Sequence, residues 1–254
     1  MYVPTFDDVI AAHDRIRPYI HRTPVLTSSY LNGLTGAELF FKCENFQKAA
    51  AFKARGASNA VFGLTDEQAQ KGVATHSSGN HGLSLAYAAG RRGIPCTVVM
   101  PRTAPQAKKD AVKGYGGRVV ECEPSTSSRE AVFAEVVAET GAEFVHPYND
   151  PRVIAGQATC SAELIEQVEG LDAVYIGPSD LSLSLGCTPT FDDVDPRVDQ
   201  ALDHIVARAH AHGLKAGVHC GVPRVALNRK ARGFDFLTVG SDARLLAVGA
   251  QQAV

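Results

Sequence analysis

Short runs of apolar, often β-branched residues alternate along this chain with longer stretches that carry helical spacing. Val73-Ala74-Thr75, residues 96–100, Val119-Val120, Phe144-Val145 and residues 173–176 read as strands, whereas residues 83–92, 107–115, 129–140 and 153–168 read as helices. Strands that are continuously apolar and each feed a helix imply parallel pairing with both faces covered. Gly93, Gly116-Gly117, Gly141 and Gly170 stand where helices should stop. The rhythm persists further on, with helices expected at 195–212, 223–232 and 243–253 and strands at 216–220 and 236–239. The expected fold class is α/β, with parallel sheets and helices on both faces. One hexapeptide, Pro-Thr-Phe-Asp-Asp-Val, occurs at both Pro4–Val9 and Pro189–Val194. Each copy sets Thr and Asp before a helical pattern, so a shared helix-start signal accounts for both.

Composition narrows the function. A chain of 254 residues, 45% of them hydrophobic, can bury one large core or two small ones. A net charge of -2 offers no excess positive potential to a phosphate backbone or an anionic membrane, so neither partner is expected. No stretch approaches the roughly 20 apolar residues of a spanning helix, and the first ten residues do not read as a signal peptide. A cytoplasmic protein is expected, with a small-molecule partner and a homo-oligomer left open. Six cysteines without C-x-x-C spacing argue for buried free thiols rather than a disulfide framework or a zinc ribbon.

Two segments carry candidate chemistry. Phe40-Phe41-Lys42-Cys43-Glu44-Asn45-Phe46-Gln47-Lys48 leads into Ala51-Phe52-Lys53-Ala54-Arg55-Gly56-Ala57. Thr75-His76-Ser77-Ser78-Gly79-Asn80-His81-Gly82 ends a strand in small residues and opens a helix, where backbone N–H groups can meet an anion. Together they resemble the fold-type-II pyridoxal-phosphate enzymes, the serine/threonine dehydratases and serine racemases, from about Pro4 to Val174. The resemblance implies pyridoxal 5'-phosphate as cofactor, joined as an aldimine to Lys53 and contacted by Phe52 and Asn80. It implies substrate binding by Ser77, Ser78, Gly79, Asn80 and His81, and a catalytic Ser78 opposite Lys53 at the substrate α-carbon. Ala104-Pro105-Gln106-Ala107-Lys108, His146-Pro147-Tyr148-Asn149-Asp150 and Ile154-Ala155-Gly156-Gln157 also read as this family. The implied reaction is β-elimination from serine or threonine to a keto acid and ammonia, or racemization. Arg55 is read as structural, and Ala50 departs from a frequent glycine.

After Val174 the family's glycine run for the cofactor phosphate is replaced by Tyr175-Ile176-Gly177-Pro178-Ser179-Asp180-Leu181-Ser182. Pro178 has no N–H to give and Asp180 brings a negative charge, so weak phosphate binding is expected. From Leu171 on, the chain resembles the metal-dependent class II aldolases of 2-keto-3-deoxy sugar acids, through Gly177 to Gly186, residues 198–213, Ala216-Gly217-Val218 and Phe236 to Asp242. That resemblance implies the closing βα units of a (β/α)8 barrel and Asp180 as a ligand for Mg2+ or Mn2+. The family's other ligands and its histidine base have no counterpart, so a metal site is not expected to close. The reading is a chimera of a dehydratase-like region at 1–171 and an aldolase-like region at 172–254, with a catalytically silent fusion as a further alternative.

Overall fold

Alternation of strand and helix is carried through into the computed structural model, which describes residues 2–170, 172–241 and 249, the side chains of Leu183 and Ser184 apart. Leu171, Asp242 and the helix expected at 243–253 lie outside the described residues. The chain divides into one unit of Tyr2–Glu169 and another that begins at Gly170.

The first unit runs α1 (Phe6–Ile16), β1 (Val25–Thr27), α2 (Ser29–Thr35), β2 (Phe40–Lys42), two 3-10 turns (Glu44–Phe46 and Lys48–Ala50), α3 (Lys53–Phe62) and α4 (Asp66–Lys71). It continues with β3 (Val73–His76), α5 (Asn80–Arg92), β4 (Cys96–Pro101), α6 (Gln106–Gly114), β5 (Arg118–Cys122), α7 (Thr126–Thr140), β6 (Glu143–Phe144) and α8 (Pro151–Gln167). The central sheet has the order β5-β4-β3-β6, all parallel. Side chains alternate across it. Val73, Val98 and Met100 face a core with Ala57 and Val61 of α3, Leu85 of α5, Val112 of α6 and Val153 of α8. Ala74, Val99 and Cys122 face Val136 of α7. Both faces are covered, which is why the central strands β3 and β4 are buried along almost their whole length. Strands β1 and β2 form a separate antiparallel pair that the apolar pattern did not reveal.

Glycines act at two kinds of place. Gly93 ends α5 at φ 72° and Gly141 ends α7 at φ 63°, left-handed conformations that side chains resist. Gly56 and Gly156 instead let α3 and α8 touch. A Cβ at Gly56 would lie 2.7 Å from the Val153 carbonyl oxygen, and one at Gly156 would lie 2.7 Å from the Gly56 Cα.

That crossing buries an ionic network. Arg55 is 0% exposed, donates to Glu163 at 2.9 and 2.8 Å, and reaches Glu44 at 2.9 and 2.8 Å. Lys42 Nζ completes it at 2.7 Å from Glu163. Burial alone would raise the Glu163 carboxyl, but the hydrogen bonds from Arg55 and Lys42 reverse this and hold it below the usual range. Arg55 is thus committed to packing, as expected from the sequence.

The second unit contains β7 (Ala173–Ile176), α9 (Pro178–Ser184), α10 (Pro196–Ala211), β8 (Lys215–Cys220), α11 (Pro223–Ala231) and β9 (Phe236–Val239). Its strands lie in chain order, β7-β8-β9, all parallel. Successive βα units give such a row whether or not it closes into a barrel. Ile176, Val218 and Cys220 pack on Val198, Leu202 and Val206 of α10 and Val225 of α11. The opposite face carries Tyr175 and Phe236, 51% and 59% exposed, so among the described residues this sheet is covered on one face rather than two.

The repeated hexapeptide takes two conformations. Thr5 caps α1 in a reciprocal box with Asp8. In the second copy no helix starts at Thr190. Asp192 Oδ1 instead accepts the N–H groups of Gly221 and Val222 at 2.8 and 3.2 Å, and α10 begins later, with Asp195 as cap and Pro196 at its first position.

Candidate functional site

Parallel strands present all their C-terminal ends at one edge, where open α/β sheets bind ligands. In the first unit that edge carries the segments after β3, β4, β5 and β6, and the predicted site residues lie on the first of them and on α3.

Lys53 is the first residue of α3. The chain reaches it through Ala49 and Ala50, both left-handed at φ 55° and 52°. The expected departure at Ala50 is therefore a backbone strain shared with its neighbour, since an L side chain in this region costs roughly 1–2 kcal/mol. Ala49→Gly and Ala50→Gly are each expected to stabilise the protein by about 0.5–1 kcal/mol, after allowing for glycine's greater freedom when unfolded. Chemical denaturation checks this, and a lower midpoint in both variants would refute it.

The half-buried Lys53 amine donates to the Pro147 carbonyl at 3.1 Å and lies 5.1 Å from the centre of the Phe52 ring. Phe52 is 42% exposed. The turn after β3 is fixed by one bond to the neighbouring strand and one of its own: the Ser77 N–H donates to Val99 O of β4 at 3.2 Å, and its hydroxyl accepts the Gly79 N–H at 3.3 Å. Ser78 and Asn80 are exposed, Gly79 precedes α5, and Asn80 is the first residue of that helix. The opening N–H groups of a helix form an anion site.

His81 ties the turn to the lysine. Its Nε2 meets the Val145 carbonyl at 3.1 Å, so the ring proton sits on Nε2 and Nδ1 is an acceptor. Nδ1 is buried without a hydrogen-bond partner. Burial, with a smaller push from the Lys53 charge, brings the His81 pKa down to about 4. Phe52, Lys53 and His81 are therefore brought together, with Ser77 to Asn80 on the adjoining turn. Asp180 lies on α9 of the other unit. Among the described residues no three His, Cys, Asp or Glu side chains are placed to hold a metal ion.

Three contributors carry no role in the sequence reading. Pro147 acts through its backbone, which leaves no side-chain signature. His146 accepts the N–H groups of Asn149 and Tyr148 at 2.9 and 3.3 Å. Arg129 on α7 lines a cavity of about 190 Å³ with Thr103, Cys122, Glu123 and Ser125 at the ends of β4 and β5; Glu123 is paired with Arg102. The Arg129 Nε is buried without a hydrogen-bond partner, and its charge adds to burial in holding His76 below the ordinary histidine range.

The donor set suits the aldehyde and ring of pyridoxal phosphate: one held primary amine, an aromatic face beside it, and Asn80 on the adjoining helix start. The buried acceptors His81 Nδ1 and Asn149 Oδ1, both without partners, stand close to this amine or to the turn that holds it. No glycine turn for a phosphate follows β7; α9 begins at Pro178 instead.

His76, His81 and His146 all have pKa values lowered first by burial. The unfolded chain binds protons these rings refuse, so their stabilisation is complete above the ordinary histidine pKa of about 6.5 and is lost as the pH falls through each folded value, about 4 for His81. His81 alone is expected to cost about 2 kcal/mol of stability between about pH 7 and pH 5. Urea denaturation at both pH values measures it; equal midpoints would mean that the ring is not buried neutral.

Residues 16–202 match the family described as pyridoxal-phosphate dependent enzyme. The β-hydroxyaspartate dehydratase of Paracoccus denitrificans is 74% identical over 174 residues, 68% of this chain and 55% of that protein. The serine racemase of Arabidopsis thaliana is 51% identical over 187 residues, 74% of this chain and 56% of its own. The structure of maize serine racemase superposes with a TM-score of 0.73 at 35% identity, covering 97% of this chain and 79% of that one. The chain spans about half the length of the curated relatives it matches. The family match passes Val174, where the sequence reading ended the resemblance, and runs to Leu202. None of these findings supports the aldolase resemblance or the chimera read from residue 171 onward.

Proposed function

The chain belongs to the pyridoxal-phosphate dependent enzymes, and on that premise we propose that it eliminates water from a β-hydroxy-α-amino acid to yield a keto acid and ammonia, with Lys53 as the cofactor lysine. The observation that carries this reading is the placement of the Lys53 amine, held by the Pro147 carbonyl beside the neutral His81. Phe52, Lys53 and Asn80 would hold the cofactor. When bound, it supplies an electron sink at the substrate α-carbon. Lys53 Nζ takes the α-proton, and the backbone N–H groups of Ser77 to His81 orient the substrate carboxylate at the start of α5. Ser78, exposed on that turn, would carry the opposite-face proton in racemization. Water lost with the β-hydroxyl is regained when the product hydrolyses, so the net change is loss of ammonia. Weak phosphate binding, micromolar or poorer, is the expectation from the sequence, where Pro178 and Asp180 replace the glycine run.

Serine and threonine were the substrates expected from the sequence. Arg129 supports a third, a β-hydroxy amino acid with a second carboxylate, which is the substrate class named for the Paracoccus relative. An Arg–carboxylate hydrogen bond is worth about 1.5–3 kcal/mol, so Arg129→Met is expected to reduce the preference for 3-hydroxyaspartate over serine by roughly 10- to 100-fold. Keto-acid release from 3-hydroxyaspartate, serine and threonine with saturating cofactor tests both proposals. Release from none would sink the dehydratase reading; release from 3-hydroxyaspartate with an unchanged preference in the variant would sink only the role of Arg129.

A further inference from the structure

His146 closes the turn that holds the lysine. Its Nδ1 lies 2.9 Å from the Asn149 nitrogen and 3.3 Å from that of Tyr148. Both are backbone donors, so Nδ1 is unprotonated and the proton of the neutral ring sits on Nε2. Between the ring and those two N–H groups runs Pro147, and the Pro147 carbonyl accepts from Lys53 Nζ at 3.1 Å. A continuous chain of contacts therefore leads from an imidazole lone pair, through one turn, to the amine.

We propose that His146 is a positioning residue for Lys53: its neutral ring fixes the turn so that the Pro147 carbonyl aims the amine, and protonation at Nδ1 releases it. A protonated Nδ1 is a donor. It cannot accept either N–H, and the turn loses both bonds at once.

The surroundings favour the neutral ring. His76 at the end of β3 lies edge-on at 6.0 Å between ring centres, and Tyr148 at 4.5 Å and Phe144 at 5.4 Å enclose the rest. Burial first, then the charge of His76, holds the His146 pKa below the ordinary range, while Asp150 opposes them. Among the described residues the other ionisable groups that act on this cluster are His81 of α5, which responds to both His146 and Lys53, and Arg129 and Glu130 of α7, which act on His76 in opposite senses. On acidification the three histidines gain positive charge while Asp150 and Glu130 lose negative charge, so this corner is loaded with like charge.

The inference rests on Lys53 being the cofactor lysine only for its catalytic consequence, and the test separates the two. His146→Asn offers an amide oxygen where Nδ1 stood but does not titrate; His146→Leu fills space and accepts nothing. Acylation of Lys53 by acetic anhydride, resolved by peptide mass spectrometry, is followed across the acid range alongside hydrogen exchange of the Tyr148 and Asn149 amides. In the wild type both should change slope as His146 protonates. His146→Asn should match the wild type at neutral pH and lack that break, and His146→Leu should exchange both amides faster at every pH. The rate of adduct formation with pyridoxal phosphate should fall about tenfold in His146→Leu and recover in His146→Asn. Superimposable pH profiles in the wild type and His146→Asn would overturn the proposal, even if His146→Leu failed to fold. A break in acylation without any adduct would leave His146 in its role and remove the cofactor assignment. An adduct without a break would do the reverse.

Discussion

Lys53→Ala is expected to form no borohydride-stable adduct with pyridoxal phosphate at this position and to lose at least about two to four orders of magnitude in keto-acid release. Any exposed lysine condenses slowly with an aldehyde, so the useful contrast is site against surface. Lys53 is half-buried, opens a helix and is held at 3.1 Å by a backbone carbonyl, whereas the Lys71 side chain at the end of α4 is 54% exposed. Lys71→Ala should keep the adduct. Lys53→Arg retains a cation beside the Phe52 ring and a donor for Pro147 but has no primary amine, so it separates covalent chemistry from packing. Peptide mapping after reduction locates the modified residue. An adduct of equal yield in Lys53→Ala would assign the reaction to surface amines and remove the basis of the proposed function.

The lysine and the serine-rich turn were legible because their chemistry lies in contiguous side chains, and a strand followed by small residues and a helix states its geometry locally. The turn that holds the lysine has no such signature in residues 146–150, since a carbonyl looks the same at every position. Arg129 marks only the start of a helical pattern in the sequence, and α7 already begins at Thr126. Its relevance comes from parallel pairing, which brings the ends of β3, β4 and β5 to one edge. The two hexapeptides mark the same limit in another way. Six identical residues cap a helix at Thr5 but not at Thr190: Asp193, the counterpart of the box residue Asp8, faces Arg224, and its neighbour Asp192 accepts backbone N–H groups of Gly221 and Val222. Local propensity proposes a conformation, and long-range partners decide it.

Such partners also set the largest expected change in stability. Glu163→Gln should destabilise the first unit by about 3–5 kcal/mol, because it removes one of two carboxylates from a buried group of four charges. Arg55, Lys42, Glu44 and Glu163 together are neutral, and the Arg55 guanidinium has no solvent to turn to at 0% exposure. Losing Glu163 leaves two cations with one anion, and losing Arg55 leaves two anions with one cation; either single change strands a charge. The double variant Arg55→Leu with Glu163→Leu removes one of each and leaves Lys42 beside Glu44, whose charge it already influences. Replacing a buried ion pair by apolar side chains is often close to neutral in stability. The double variant is therefore expected to be more stable than either Arg55→Leu or Glu163→Leu alone, with a coupling of roughly 2–3 kcal/mol in the double-mutant cycle. Denaturant unfolding of the four proteins measures it. Purely additive losses would mean that the four side chains do not act as one electrostatic group, and that the crossing of α3 and α8 at Gly56 and Gly156 is held by close packing alone.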